Sequence, residues 1–261
     1  SITGNVAEGN HNVERDEGGK GGGIYFVSSS ATITGGADIS YNLAVNRTPS
    51  SHNNSHNGSG GGICTAGTGS LTIKKASIHH NKTYSEGGGL MLQGSYNVTL
   101  GGNSEEETCS ITHNQGGFER NGGGGIGVQL ASKENNLILN HCLIAENTAN
   151  ARGGGIYISS GNIVMNEGAI IEYNLCYSQY VSGGSGGGIY VSGSSVEGIK
   201  TVSGQFHGGE IRLNKVTRND FTTIAGSGGG AEVHSMDFEL NGTSIHDNRG
   251  SSGGGLYLSA T

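Results

Sequence analysis

His80, His113 and Glu146 each stand immediately before the Asn of an Ile-x-x-Asn word, on three successive copies of that word. Residues at one position of successive repeats stack when the repeats do. The spacing would therefore bring two imidazoles and a carboxylate within reach of one metal ion. Four further copies carry Tyr41, Tyr173, Leu213 and Asp247 there, which is equally the make-up of an ordinary surface column. A second row lies one residue beyond the first apolar residue after each triple Gly. It reads Tyr25, Cys64, Met91, Gly127, Tyr157, Tyr190, Glu232 and Tyr257. Facing outward, Tyr25, Tyr157, Tyr190 and Tyr257 with Glu232 and His234 form a candidate binding face for sugar rings or a partner protein. Tyr also packs well on a β surface without any ligand. Tyr157 and Tyr190 are expected about 4.8 Å apart on adjacent rungs.

Catalysis on polysaccharides would need more than this. Such enzymes cluster carboxylates, often with a cation or a basic residue, on one outward face. Here Glu232 and His234 are the only such residues on the row, and the acidic run Glu105–Glu107 has no paired Lys or Arg beside it. The triple Gly is not a phosphate loop, because no helix follows it to supply an N-terminal dipole. The residues imply no cofactor and point away from an enzyme.

The elements that hold these rows come from a repeat. Gly-Gly-Gly plus an apolar residue occurs eight times, ending on Ile24, Ile63, Leu90, Ile126, Ile156, Ile189, Ala231 and Leu256. It alternates with eight copies of Ile-x-x-Asn, from Ile2–Asn5 to Ile245–Asn248. Each repeat carries three short apolar/polar alternations, the signature of β-strands; Ile63-Cys64-Thr65, Leu71-Thr72-Ile73 and Ala76-Ser77-Ile78 are one set. Units this short bury their apolar face only by stacking. The expectation is a single domain over 1–261: an all-β, right-handed parallel β-helix (a solenoid) of about eight rungs with three short strands each. Small residues two before the Ile (Ala37, Ala76, Cys109, Cys142, Ala169, Gly209, Thr243) would face the larger ones across a narrow core. Gly then serves as turn chemistry or close approach. Asn42, Asn81, Asn114, Asn147, Asn174, Asn214 and Asn248 would take a left-handed turn and stack as an amide ladder.

These two words, Gly-Gly-Gly-Ile-Tyr and Ile-x-x-Asn, resemble the repeats of bacterial right-handed β-helix proteins. They are similar in particular to the polymorphic outer membrane protein family of autotransporter-type adhesins, whose words are Gly-Gly-apolar and Phe-x-x-Asn. The resemblance spans Ile2 to Leu258; this chain has Ile in place of that family's Phe, a third Gly, and no autotransporter barrel. It implies a secreted, extracellular or cell-surface adhesin stalk or filament subunit. A carbohydrate-binding or polysaccharide-cleaving β-helix is the alternative.

Composition agrees with a thin core: 52 Gly, one Pro, no Trp and 32% hydrophobic residues. A net charge of −7 with scattered Lys and Arg argues against nucleic acid, and no apolar run approaches the roughly 20 residues of a membrane span. Long connections, Leu43–Ser59, Leu175–Ser185 and Lys215–Ser227, are expected as loops on one edge, with Ser50–Ser59 the most mobile. Neither end shows a capping element, so self-association through uncapped ends, or a longer parent chain, is expected. A glycan or a host surface protein is the other candidate partner.

Overall fold

A computed structural model describes residues 1–9, 11–12, 15–16, 18–46, 58–117, 122–178, 184–193, 195–196, 199–234 and 236–259. The described residues are β-strands and turns with one short 3-10 turn, Glu105–Glu107, and no α-helix. Most of the strands fall into three long parallel sheets, and three two-stranded pairs, two of them antiparallel, lie outside these.

One ladder holds the strands that precede the Asn, from Ile2–Thr3 through Ala37–Ser40, Ala76–His79, Cys109–Thr112, Cys142–Ala145, Ala169–Glu172 and Glu210–Arg212 to Ser244–His246. The repeated Ile is in register along it: Ile39 pairs with Ile78, Ile78 with Ile111, Ile111 with Ile144, and Ile144 with Ile171. These Ile are at most 1% exposed, and burying each contributes about 1.5–3 kcal/mol. Cys109 and Cys142 are neighbours in the small-residue column, and both thiols are free and buried. A larger sheet carries the strands after the triple Gly and those that follow them. In two units these run on without a break, as Leu90–Leu100 and Ile156–Met165.

The expectation of three strands per unit needs correction, because there is a fourth. Directly after the Asn, Val6–Gly9, Leu43–Asn46, Lys82–Thr83, Gln115–Gly116, Thr148–Asn150, Leu175–Ser178 and Lys215–Arg218 form their own parallel ladder. Three supposed long loops, Leu43–Ser59, Leu175–Ser185 and Lys215–Ser227, therefore begin as strands. Lys82–Thr83 and Gln115–Gly116 are two residues long, too short to show any alternation. Of the segment expected to be mobile, 50–57 lies outside the described residues, whereas Gly58 is buried and Ser59 bridges to Lys20.

The Asn ladder forms as expected. Each Asn accepts, on Oδ1, the backbone N–H and the Nδ2–H of the Asn one unit below. Asn81 donates both to Asn114 at 3.0 and 3.1 Å, and Asn114 donates both to Asn147 at 3.0 Å. The second Nδ2–H reaches the Ile carbonyl of the unit before, Asn114 to Ile78 at 3.0 Å. The left-handed turn, however, is not on the Asn. It falls on the residue before it, where Tyr41, His80, His113, Glu146, Tyr173, Leu213 and Asp247 have φ between 52° and 56°. That conformation costs a non-Gly residue roughly 1–2 kcal/mol. The buried amide bonds of the Asn hold it in place.

The two sequence words meet in space. In Gly87-Gly88-Gly89 the first has φ +70°, while a Cβ on Gly88 would come 2.3 Å from the Gly124 carbonyl of the next unit. A Cβ on Gly89 would come 3.0 Å from the Asn114 amide. Triple Gly thus lets the chain run flush against the Asn ladder.

Candidate functional site

The Tyr row lies on the outward side of the first strand of each unit, since Ile156 and Ile158 on either side of Tyr157 point into the core. Strand pairing places Tyr157 beside Tyr190, Tyr190 beside Glu232 and Glu232 beside Tyr257. The Tyr157 and Tyr190 rings stack at 5.8 Å with 6° between planes. Adjacency is as expected, but an open face is not. Tyr157, Tyr190 and Glu232 are 6%, 7% and 4% exposed, and Cys64 and Met91 are fully buried.

What covers the row is the connector that leads from the fourth strand into the triple Gly. Ser227 donates its hydroxyl to Glu232 Oε2 at 2.6 Å, and the Arg152 guanidinium sits 5.2 Å over the Tyr190 ring. Glu86 is buried beside the Gly127 position and accepts a bond from Gln129 Nε2 at 2.6 Å. Only the edges of the set reach solvent: Tyr25 is exposed, and His234 and Tyr257 are half-buried. His234 Nε2 lies 2.7 Å from Glu232 Oε1, and its ring contacts Tyr190 at 5.6 Å and Tyr257 at 6.0 Å.

The electrostatics follow from this covering. Burial pushes the Tyr157 and Tyr190 phenols upward, and for Tyr157 the neighbouring Glu86 carboxylate adds to the effect. Burial also pushes the Glu86 carboxyl up to about 7, from an ordinary 4.5. Between those values the folded protein keeps a proton that the unfolded chain has lost. Stability therefore falls as pH rises through that window and levels off above it. Glu86→Gln removes the cost of charging, so this variant is expected to exceed the native protein by about 3 kcal/mol at about pH 8. It should match the native protein near about pH 4, where both side chains are neutral. Urea unfolding at the two pH values checks both statements. The chemistry available to the row is thus that of an internal polar seam, with half-buried His234 against Glu232 at its edge. Open grooves lie on other parts of the surface. One of about 400 Å³ is lined by Glu167, His207 and Glu210, and one of about 370 Å³ by Lys215, Asp247 and Arg249.

The metal set expected from the spacing, His80, His113 and Glu146, does come together, though not around a common point. The His80 and His113 rings lie parallel, 4.9 Å apart with 4° between planes, so their in-plane lone pairs run side by side. His113 Nε2 instead pairs with Glu146 Oε2 at 2.8 Å. Among the described residues no three His, Cys, Asp or Glu side chains are placed to hold an ion. Tyr41 extends this stack, 4.9 Å from His80, and the corner is open: Tyr41 and Tyr173 are 61% and 55% exposed. The acidic run also departs from expectation. Glu107 pairs with Lys74 at 2.6 Å, a partner 33 residues earlier that the ladder register brings alongside.

One contact had no counterpart in the sequence reading, the meeting of His79 with His80 at 2.8 Å. Adjacent residues of a strand normally point to opposite faces, so only the left-handed turn at His80 explains it. Compared with protein-family models, curated proteins and solved structures, the chain shows no significant match to any of them.

Proposed function

We propose that the chain is a right-handed parallel β-helix serving as a non-catalytic structural and adhesive module, extracellular or at a cell surface. The handedness follows the strong preference of parallel β crossovers for the right-handed sense. The observation that carries the functional reading is the covering of the Tyr row: Tyr157, Tyr190 and Glu232 are sealed under Glu86, Arg152 and Ser227. Residues that would have been the substrate face are spent on fastening connector to strand. A spine of amides, buried from Asn42 to Asn214, suits a rod that must resist extension, because successive units are tied together by several hydrogen bonds. The exposed corner with Tyr41 and Tyr173 supports the adhesive part, since aromatic side chains are enriched at recognition surfaces.

The test combines turnover and binding. Purified protein is incubated with uronic-acid polymers and, separately, applied to a glycan array. No depolymerisation is expected, and any array signal should fall in the Tyr41→Ala/Tyr173→Ala double variant. Depolymerisation that disappears in both Glu232→Ala and the isosteric Glu232→Gln would replace this reading with that of a polysaccharide-cleaving β-helix.

A further inference from the structure

His79 is the last residue of the strand Ala76–His79, and His80 occupies the left-handed corner with φ +53°. The reversal at His80 swings its ring to the same side as that of His79, leaving the two Nδ1 atoms 2.8 Å apart. With metal–nitrogen bonds of 2.0–2.1 Å, two nitrogens on neighbouring corners of a square-planar or octahedral ion lie about 2.8–3.0 Å apart, whereas a tetrahedral ion needs about 3.3 Å. The observed separation matches the first geometry.

The surroundings hold both rings in place. His80 is clasped between Tyr41 and His113, each 4.9 Å from its centre. Asp38 Oδ1, an atom closed off from solvent and without a hydrogen bond, lies 3.2 Å from His79 Nε2. It faces the far nitrogen of a would-be ligand, where a carboxylate orients an imidazole and makes it more basic. We propose that His79 and His80 form an open, surface chelate for a tetragonal divalent cation, Cu(II) above all, with both Nδ1 atoms as ligands and Asp38 as the positioning residue. Without metal, one Nδ1–H donates to the other Nδ1. Metal binding requires only that this proton move to the opposite nitrogen of the same neutral ring, so no net charge is lost. Two protein ligands leave the remaining positions to water or to a small donor molecule. The set differs from His80, His113 and Glu146, since His113 is engaged by Glu146.

The full chain, stripped of metal, is titrated with Cu(II) at neutral pH and followed by calorimetry and electron paramagnetic resonance. One equivalent should bind with hyperfine coupling to two imidazole nitrogens, and Zn(II) should bind more weakly. His79→Gln and His80→Asn should each lower the Cu(II) affinity about tenfold or more, and Asp38→Asn about tenfold. Asn is chosen at 80 because it tolerates the left-handed conformation. Glu146→Gln, which alters the rival set without touching the His79–His80 pair, should leave the affinity within about twofold, a change below that of any outer-shell partner. Thermal melts establish that each variant is folded, and Asp38→Asn carries the test if a histidine variant is not. Native affinity in His79→Gln and His80→Asn, or in Asp38→Asn where those do not fold, would overturn the proposal. So would a loss in Glu146→Gln as large as that in His80→Asn.

Discussion

Asn114→Ala is expected to lower the unfolding free energy by about 3–5 kcal/mol, a large share of the 5–15 kcal/mol of a typical domain. The size follows from what the side chain holds. Asn114 Oδ1 is the acceptor for the backbone N–H of Asn81, and its Nδ2 donates to the carbonyl of Ile78. Both Asn81 and Ile78 are at most 1% exposed, so water cannot replace the lost partner. An orphaned buried backbone group costs about 1–3 kcal/mol. Two such groups, with the vacated space added, give the stated range. Asn114→Asp should fare no better, because a carboxylate oxygen would then face the Ile78 carbonyl and the Asn147 Oδ1 where a donor stood. Asn5→Ala is the control. Asn5 is exposed and only donates into the ladder, to Asn42, so its loss should cost less than about 1 kcal/mol. Urea unfolding of the three variants measures the contrast; equal midpoints for Asn114→Ala and Asn5→Ala would show the amides to be ornamental.

Gly88→Ala is expected to be at least as damaging, with a loss above about 4 kcal/mol or no soluble folded protein. The added methyl would lie 2.3 Å from the Gly124 carbonyl oxygen and 2.6 Å from the Gln115 carbonyl carbon. Both obstacles are backbone atoms fixed by hydrogen bonds to their own neighbours, so neither can swing aside as a side chain would. Relief would require separating units held near the 4.7–4.9 Å spacing of paired strands. Gly35→Ala separates this effect from the ordinary cost of replacing a glycine. Gly35 has φ +73° and nothing within 4 Å of the added methyl, so only the left-handed penalty of about 1–2 kcal/mol applies. Expression yield and thermal melts of the pair decide the matter. A Gly88→Ala protein as stable as Gly35→Ala would mean that the units do not approach as closely as described.

Much of the scaffold can be read directly from the chain. The Ile column, the small residues beside it and the amide ladder each recur at one position of a repeat, and identical positions must stack once the repeats do. Other features escape a reading of this kind because they depend on what lies across from a residue. Lys82–Thr83 is strand only because Leu43 and Gln115 flank it. Lys74 and Glu107 pair because register sets them alongside.

The Tyr row makes the same division. Alternation correctly places Tyr157 and Tyr190 on the side away from the core, next to one another. Alternation says which face a side chain takes, and nothing about what is laid over that face. Connector residues Glu86, Arg152 and Ser227 do the covering. Each stands directly before a triple Gly, but the residue type there and the length of connector before it differ from unit to unit. His79 and His80 complete the case. Their adjacency is plain in the sequence, yet a strand would part them to opposite faces. The turn forced by the neighbouring Asn, with its amide fixed by the units on either side, is what brings the two nitrogens together. Repetition therefore determined the spine of this protein, because stacking repeats one local solution. Contacts between units and connectors decided its chemistry, because they obey no local rule.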